Sequence, residues 1–392
     1  MIEPTTQLET IIHESDSPLA EATKLGRLAF IDFTRGLVMI LMAWDHVSGF
    51  WNKLHGGLEG IMPMRNPSLD TVSFLSRFIT HWCAPTFLFL AGTSLALSTK
   101  KRLERGESQR DVTIHILTRG LVLIALEWLI VSPAFELPLF NIQVIGCIGL
   151  CFVVFSLLRL MPASAILGVS LLILLNRQWL DLSWIPSTPI GVYVRALINE
   201  PLITGGPSTV IYPVLPWLGI MGLGWVFGIY LAGLEPEKVL GLKRPLALAG
   251  VASIILFIVV RYFNGYGNLV RRWSDSLLDW LYVSKYPPDI AFLLWTLGGM
   301  CLFLAAAMIF VERGWLRNRI VAAVNTLGRV PLFFYVAHLW LYRLRLPGQP
   351  APFYLDLPQT AAAWLAGLVV LWLACSRYEV VKGRYPHFLQ YL

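Results

Sequence analysis

Charge is scarce in this chain. Only 14% of its 392 residues are Asp, Glu, Lys or Arg, against about a quarter in an ordinary soluble domain. With 56% hydrophobic residues and a mean hydropathy of +0.64, the composition excludes a water-soluble fold and points to a membrane protein. Cysteine is also sparse. The five, Cys83, Cys147, Cys151, Cys301 and Cys375, fall in apolar stretches, where they act as small hydrophobes. No disulfide framework or metal-ligand spacing appears, so no metal is expected. Residues 1–26 lack the apolar core of a signal peptide and read as a short cytoplasmic tail. HExxH, GxSxG and Walker patterns are missing, which removes the hydrolase and ATPase readings. The net charge of +7 brings no basic face interleaved with aromatics, so nucleic acid is not an expected partner.

What the chain has in abundance is long apolar runs. "IAFLLWTLGGMCLFLAAAMIFV" (290–311) exceeds the roughly 18 to 20 residues a helix needs to cross a bilayer. Runs at 31–51, 73–98, 114–132, 139–158, 163–176, 209–232, 245–262, 290–311, 320–342 and 360–376 predict an all-α polytopic membrane bundle of about ten transmembrane helices. Helices are required because hydrocarbon offers no partner for backbone polar groups, and the period-2 alternation of barrel strands is missing. With both termini cytoplasmic, more than half of the 31 Lys and Arg fall in inner segments, as the positive-inside rule requires. "TKKRLERGESQR" (99–110) is the most basic of these. No stretch is long enough for a separate soluble domain, so residues 27–392 read as a single unit. Two outer loops, 177–208 and 263–289, are substantial and are candidates to shape a site.

Ionisable groups inside spans are costly and therefore candidate functional groups. The first span carries four: Asp32, Arg35, Asp45 and His46. At about 100° per residue, Asp32, Arg35 and His46 share one helix face, with His46 about 16 Å further out than Arg35. Asp45 points about 100° away. His46, His81 and His338 are expected at one depth in the outer half of the bundle, the pattern of a shared cavity. In "GRVPLFFYVAH" (328–338) the spacing puts Arg329 and His338 on opposite faces of a continuous helix, whereas Tyr335 and His338 are i,i+3 neighbours. "YPVLPWLG" (212–219) brings Tyr212 and Trp217, and Gly92, Ser94, Gly224 and Gly228 read as close-packing surface. "TRGLVMILMAW" (34–44) and "TRGLVLIALEW" (118–128) match at seven of eleven positions. That echo allows a plainer view of Arg35 as an arginine snorkelling toward water.

"RLAFIDFTRGLVMILMAWDHV", "THWCAPTFLFLAGTS", "PVLPWLG", "KYPPD" and "LGRVPLFFYVAHLW" occur in this order between about residues 27 and 342. Together they resemble bacterial members of the heparan-alpha-glucosaminide N-acetyltransferase catalytic-domain family, within the wider acyltransferase-3 type superfamily. The Arg-x10-His of the first helix looks like the pair that acyltransferase-3 enzymes use at their active site. The resemblance implies a bundle in the bacterial inner membrane that moves an acyl group, usually acetyl, from cytoplasmic acyl-CoA to an amine or hydroxyl, often of a sugar, on the other side.

On that reading His46 and Asp45 are catalytic, and His81, His338, Tyr335 and Trp217 meet the acceptor. Arg35, Asp32 and Arg329, with the 99–110 loop, meet the coenzyme. The imidazole acts as general base or is transiently acylated, two mechanisms the sequence leaves open. His55 in "WNKLHGG" is the alternative active histidine, since the lysosomal branch places it further along. Acyl-CoA, an unidentified glycan or small-molecule acceptor and the bilayer are the implied partners, and a homo-oligomer is compatible. The competing function is a proton-coupled transporter using the histidine layer as a relay. The lack of a repeat longer than one helix weighs against it.

Overall fold

The computed structural model describes residues 18–53, 71–203, 208–344 and 353–385. Its longer helices are α1 (Pro18–Trp51), α2 (Thr71–Phe78), α3 (Cys83–Glu104), α4 (Gln109–Leu126), α5 (Val144–Leu158), α6 (Ala163–Asn176) and α7 (Pro189–Ile198). They continue with α8 (Val214–Gly233), α9 (Lys243–Phe263), α10 (Ile290–Glu312), α11 (Arg319–Arg329), α12 (Pro331–Tyr342) and α13 (Leu357–Arg384). Two three-residue strands, β1 (Phe140–Ile142) and β2 (Ser208–Val210), pair in parallel with Asn141 opposite Thr209.

Among the described residues, six helical segments are long and apolar enough to cross a membrane, and a seventh qualifies if one bent pair counts as a span. The result is a helical membrane bundle with fewer unambiguous spans than the ten expected. α1 has the length, 34 residues, but Asp32, Arg35, Asp45 and His46 interrupt its apolar run. α5 and α6 are apolar but short, at 15 and 14 residues. α1 also begins at Pro18, within the stretch expected to be a tail.

The span expected at 320–342 needs correction. It is two helices, α11 and α12, bent by 93°. Pro331 has no N–H to continue the ladder, and its ring disfavours helical geometry at the preceding residue. Val330 accordingly sits at φ −124°, ψ 53°. The opposite-face argument for Arg329 and His338 assumed one straight helix, so it lapses.

Reciprocal glycines set the closest helix crossings. A Cβ at Gly36 would collide with the Val324 carbonyl and one at Gly328 with the Asp32 carbonyl, bringing α1 against α11. Gly92 faces the Met221 carbonyl and Gly224 the Phe89 carbonyl in the same way, locking α3 to α8. Small residues let helix backbones approach where lipid supplies no hydrophobic drive between them. Helix starts are fixed by side chains: Ser108 and Asp111 form a capping box on α4, and Asp289 accepts the Phe292 N–H on α10 at 2.7 Å.

The α4 helix widens into a π turn at Glu127–Val131. This brings the fully buried Glu127 to the start of α5, where its Oε2 accepts the Gly146 N–H at 2.8 Å. Gln143, which precedes α5, supplies no side-chain cap of its own, so a carboxylate from a neighbouring helix does so. Asn141 Nδ2 donates to the other oxygen of Glu127 at 3.4 Å, and the Thr209 hydroxyl donates to Asn141. This chain of bonds fixes the β1–β2 pair, which forms one wall of the cavity described next.

Candidate active site

A cavity of about 590 Å³ opens between α1, the start of α3, the segment around Phe135 to Val144, β2 and the Lys285–Tyr286 turn. α1 contributes Met42, Asp45, His46, Gly49 and Phe50, and α12 contributes Tyr335. These residues recur about every third or fourth position along α1, so one face of the helix forms the floor. Aromatic rings dominate the walls, with Phe87, Phe135, Tyr212 and Tyr286, and polar groups come from Arg77, Gln143, Thr209 and Lys285.

The bend at Pro331 turns α12 so that its histidine reaches α1. His46 Nδ1 lies 2.6 Å from His338 Nε2, and the two rings are nearly parallel at 14°. His338 Nδ1 lies 2.9 Å from the Phe334 carbonyl oxygen. A carbonyl oxygen only accepts, so His338 Nδ1 must carry a proton and, in the neutral ring, its Nε2 must accept. His46 Nδ1 therefore donates to His338, leaving His46 Nε2 with a free lone pair. The hydrogen-bond network assigns both tautomers. His46 lines the cavity while His338, wholly buried, stands behind it.

Tyr335 packs edge-on to both imidazoles, 6.4 Å from His46 and 5.5 Å from His338. Its hydroxyl is buried without a hydrogen-bond partner although the side chain lines the cavity. A buried donor left unsatisfied costs about 1–3 kcal/mol. Asp45 accepts from the Thr80 hydroxyl at 3.0 Å and lines the cavity beside His46.

Other expected site residues lie elsewhere. His81 sits in the 3-10 turn Ile79–Trp82, buried against Phe78 and Phe292 and outside the cavity lining. Trp217 is buried behind the wall against Tyr212, at 4.9 Å. Arg35 donates to Asp32 Oδ1 at 2.9 Å, the Gly328 carbonyl at 3.0 Å and Ser94 Oγ at 2.8 Å. It thus ties α1 to α11 and α3 at the opposite end from the cavity. Arg329 is ion-paired with Glu379 of α13 and bonds Thr326. His55 lies outside the described residues.

Sequence reasoning missed Arg77, Gln143, Thr209, Lys285 and Tyr286 as site residues. Lys285 and Tyr286 stand in the "KYPPD" stretch, so a signal was present. Gln143 and Thr209 join the wall through strand pairing that local sequence does not announce.

The family profile described as heparan-alpha-glucosaminide N-acetyltransferase, catalytic, matches residues 27–262. The match takes in α1 with His46 and ends before His338 and Tyr335. Mouse heparan-alpha-glucosaminide N-acetyltransferase is 30% identical over 118 residues, which are 30% of this chain and 16% of the mouse protein. The aligned part thus spans well under a fifth of that relative. By the extent of the profile match, this chain belongs to the heparan-alpha-glucosaminide N-acetyltransferase catalytic family.

Proposed function

We propose that the protein is an integral membrane acetyltransferase that takes an acetyl group from acyl-CoA and passes it to an amine or hydroxyl acceptor, of carbohydrate type, in the cavity floored by His46. The observation that carries this reading is the His46–His338 pair: a hydrogen-bonded imidazole relay whose free Nε2 belongs to a residue lining a ligand-sized cavity. A side chain with one nitrogen fixed as donor and the other left basic suits general-base catalysis.

In the proposed step the acceptor nitrogen or oxygen attacks the thioester carbonyl carbon and gives its proton to His46 Nε2. The carbonyl oxygen takes up negative charge and is met by the Tyr335 hydroxyl, which has no competing partner among the described residues. The C–S bond then breaks, and the departing thiolate takes the proton from His46 Nε2. His338 holds the His46 ring in the productive tautomer through both changes of charge. The rings of Phe87, Phe135, Tyr212 and Tyr286 supply the apolar faces on which a sugar ring stacks, while Asp45, Arg77 and Lys285 present charge to its polar edges.

The test uses the purified protein with acetyl-labelled acetyl-CoA and a panel of amino sugars and hydroxyl sugars. Label transfer by wild type and its loss in His46→Ala are expected. Equal transfer by both would remove His46 from the chemistry and the proposal with it.

A further inference from the structure

Glu127, Asn141 and Thr209 form a chain of hydrogen bonds that runs from the buried interior to the cavity. Glu127 and Asn141 are wholly buried, whereas Thr209 is 5% exposed and lines the cavity. Strand pairing accounts for the last link. Asn141 stands opposite Thr209 in the parallel register, and register partners project their side chains from the same face. The first link needs another reason, because burying a carboxylate without a cation is costly and Glu127 forms no ion pair among the described residues. Its neighbours supply that reason, since each of them is a donor: the Gly146 N–H at 2.8 Å, the Ile145 N–H and Asn141 Nδ2 at 3.4 Å. An amide at this position would turn its own N–H groups against one of them.

The donor sense then passes along the chain. A carboxylate only accepts, so the Asn141 amide turns its Nδ2 to Glu127 and its Oδ1 to Thr209. That oxygen also only accepts, so the Thr209 hydroxyl spends its proton on Asn141. What Thr209 retains is an oxygen lone pair, with which it can accept from a ligand and cannot donate. Without the two residues behind it, the hydroxyl would rotate and serve a donor or an acceptor equally. The wall therefore carries a group with one hydrogen-bonding sense, set by a carboxylate two side chains away.

We propose that Thr209 recognises the acceptor by taking a hydrogen bond from one of its hydroxyl groups, separate from the nucleophile that His46 serves. Glu127 and Asn141 are positioning residues that hold Thr209 in this accepting state. The substrate class is a polyol, such as a sugar, that presents a hydroxyl donor in addition to its reacting group. That the bound sugar receives acetyl rests on the acetyltransferase reading, and its recognition by Thr209 does not.

The experiment measures equilibrium binding to the full chain in phosphatidylcholine nanodiscs. The probes are the methyl glycosides of glucosamine, galactosamine and glucose. The tightest bound is then compared with analogues in which each hydroxyl in turn is replaced by fluorine, which is of similar size and cannot donate. Wild type is expected to bind one fluoro analogue about tenfold more weakly than its parent. Thr209→Val is expected to bind the two within about threefold of each other, and Thr209→Ser to restore the preference. In Glu127→Gln the new amide must keep its oxygen on the Gly146 N–H, so its nitrogen faces Asn141 and the chain reverses. Asn141 then donates to Thr209, whose proton turns to the cavity, and the preference is expected to fall below about threefold with the hydroxyl still in place. A wall that had merely loosened would weaken parent and analogue together and leave their ratio unchanged.

No glycoside bound by wild type, all analogues bound like the parent, or a preference that survives Thr209→Val would overturn the proposal. A preference lost in Thr209→Val and intact in Glu127→Gln would overturn the role of Glu127. If these variants do not fold, Thr209→Ala and Asn141→Ala break the same links and are read in the same way. Thr209-dependent binding in a protein that transfers no acetyl removes the acetyltransferase reading and leaves this one. His46-dependent transfer to a sugar whose binding is indifferent to Thr209 does the reverse.

Discussion

His46 and His338 act as a unit in this account, so their substitutions are expected to be non-additive. His46→Ala removes the base and is expected to lower acetyl transfer by about 10²- to 10⁴-fold. His338→Ala leaves the His46 Nδ1–H without its acceptor and frees the ring to turn, an expected loss of about 10- to 100-fold. The double variant is expected to be no slower than His46→Ala alone, because His338 works only through His46. Initial rates of the three proteins at saturating acetyl-CoA check this. A double variant slowed by the product of the two single effects would mean that the imidazoles act independently. Tyr335→Phe separates catalysis from folding. The hydroxyl bonds nothing among the described residues, so the melting temperature is expected to hold while transfer falls about tenfold or more.

At this scale the sequence announced part of the site. Helical spacing put Arg35 and His46 on one face, and depth counting grouped His46, His81 and His338. Only two of those three meet, because His81 is carried on a 3-10 turn that aims it at Phe78 and Phe292. Which imidazole donates to which follows from the Phe334 carbonyl, a partner that no residue count supplies.

Among the elements, the α11–α12 bend and the glycine crossings position the dyad. Gly328 lies where both act: a side chain there would meet the Asp32 carbonyl, and its own carbonyl accepts from Arg35. Gly328→Ala is expected to force α11 off α1, displace α12 with His338, and lower both thermal stability and transfer. Gly224→Ala, at the α3–α8 crossing and outside the cavity lining, is expected to cost about 1–3 kcal/mol of stability with a smaller effect on the turnover of the folded fraction. Melting curves and specific activities of the two variants distinguish these outcomes, and indifference of both to alanine would contradict the packing described here. Gly92, Gly224 and Gly228 were legible as packing surface. The break at Pro331 was overlooked because the apolar run continues across it: hydropathy reports burial in lipid and does not register a missing N–H. The π turn at Glu127 was equally hidden, since its carboxylate finds a partner only when α5 is placed beside it.

Across the whole molecule, the two ends of the bundle differ in chemistry. One holds Arg35 in its bonds to Asp32, Ser94 and Gly328, and the other holds the cavity with His46. In proteoliposomes of uniform orientation, transfer is expected when acetyl-CoA is supplied on the face bearing the 99–110 loop and acceptor on the opposite face. It is not expected with the two compartments exchanged. Composition alone established the membrane setting, because 14% charge and long apolar runs leave no soluble alternative. The number of spans was less legible. Short helices such as α5 and α6, and a polar one such as α1, are assigned by their packing partners and not by their own hydropathy.

The most direct measurement is the release of free coenzyme A thiol from acetyl-CoA by the purified protein in the presence of acceptor, wild type beside His46→Ala at matched fold and concentration. The account predicts acceptor-dependent thiol release by wild type and a fall of at least about a hundredfold in the variant. Equal release by the two proteins would contradict it.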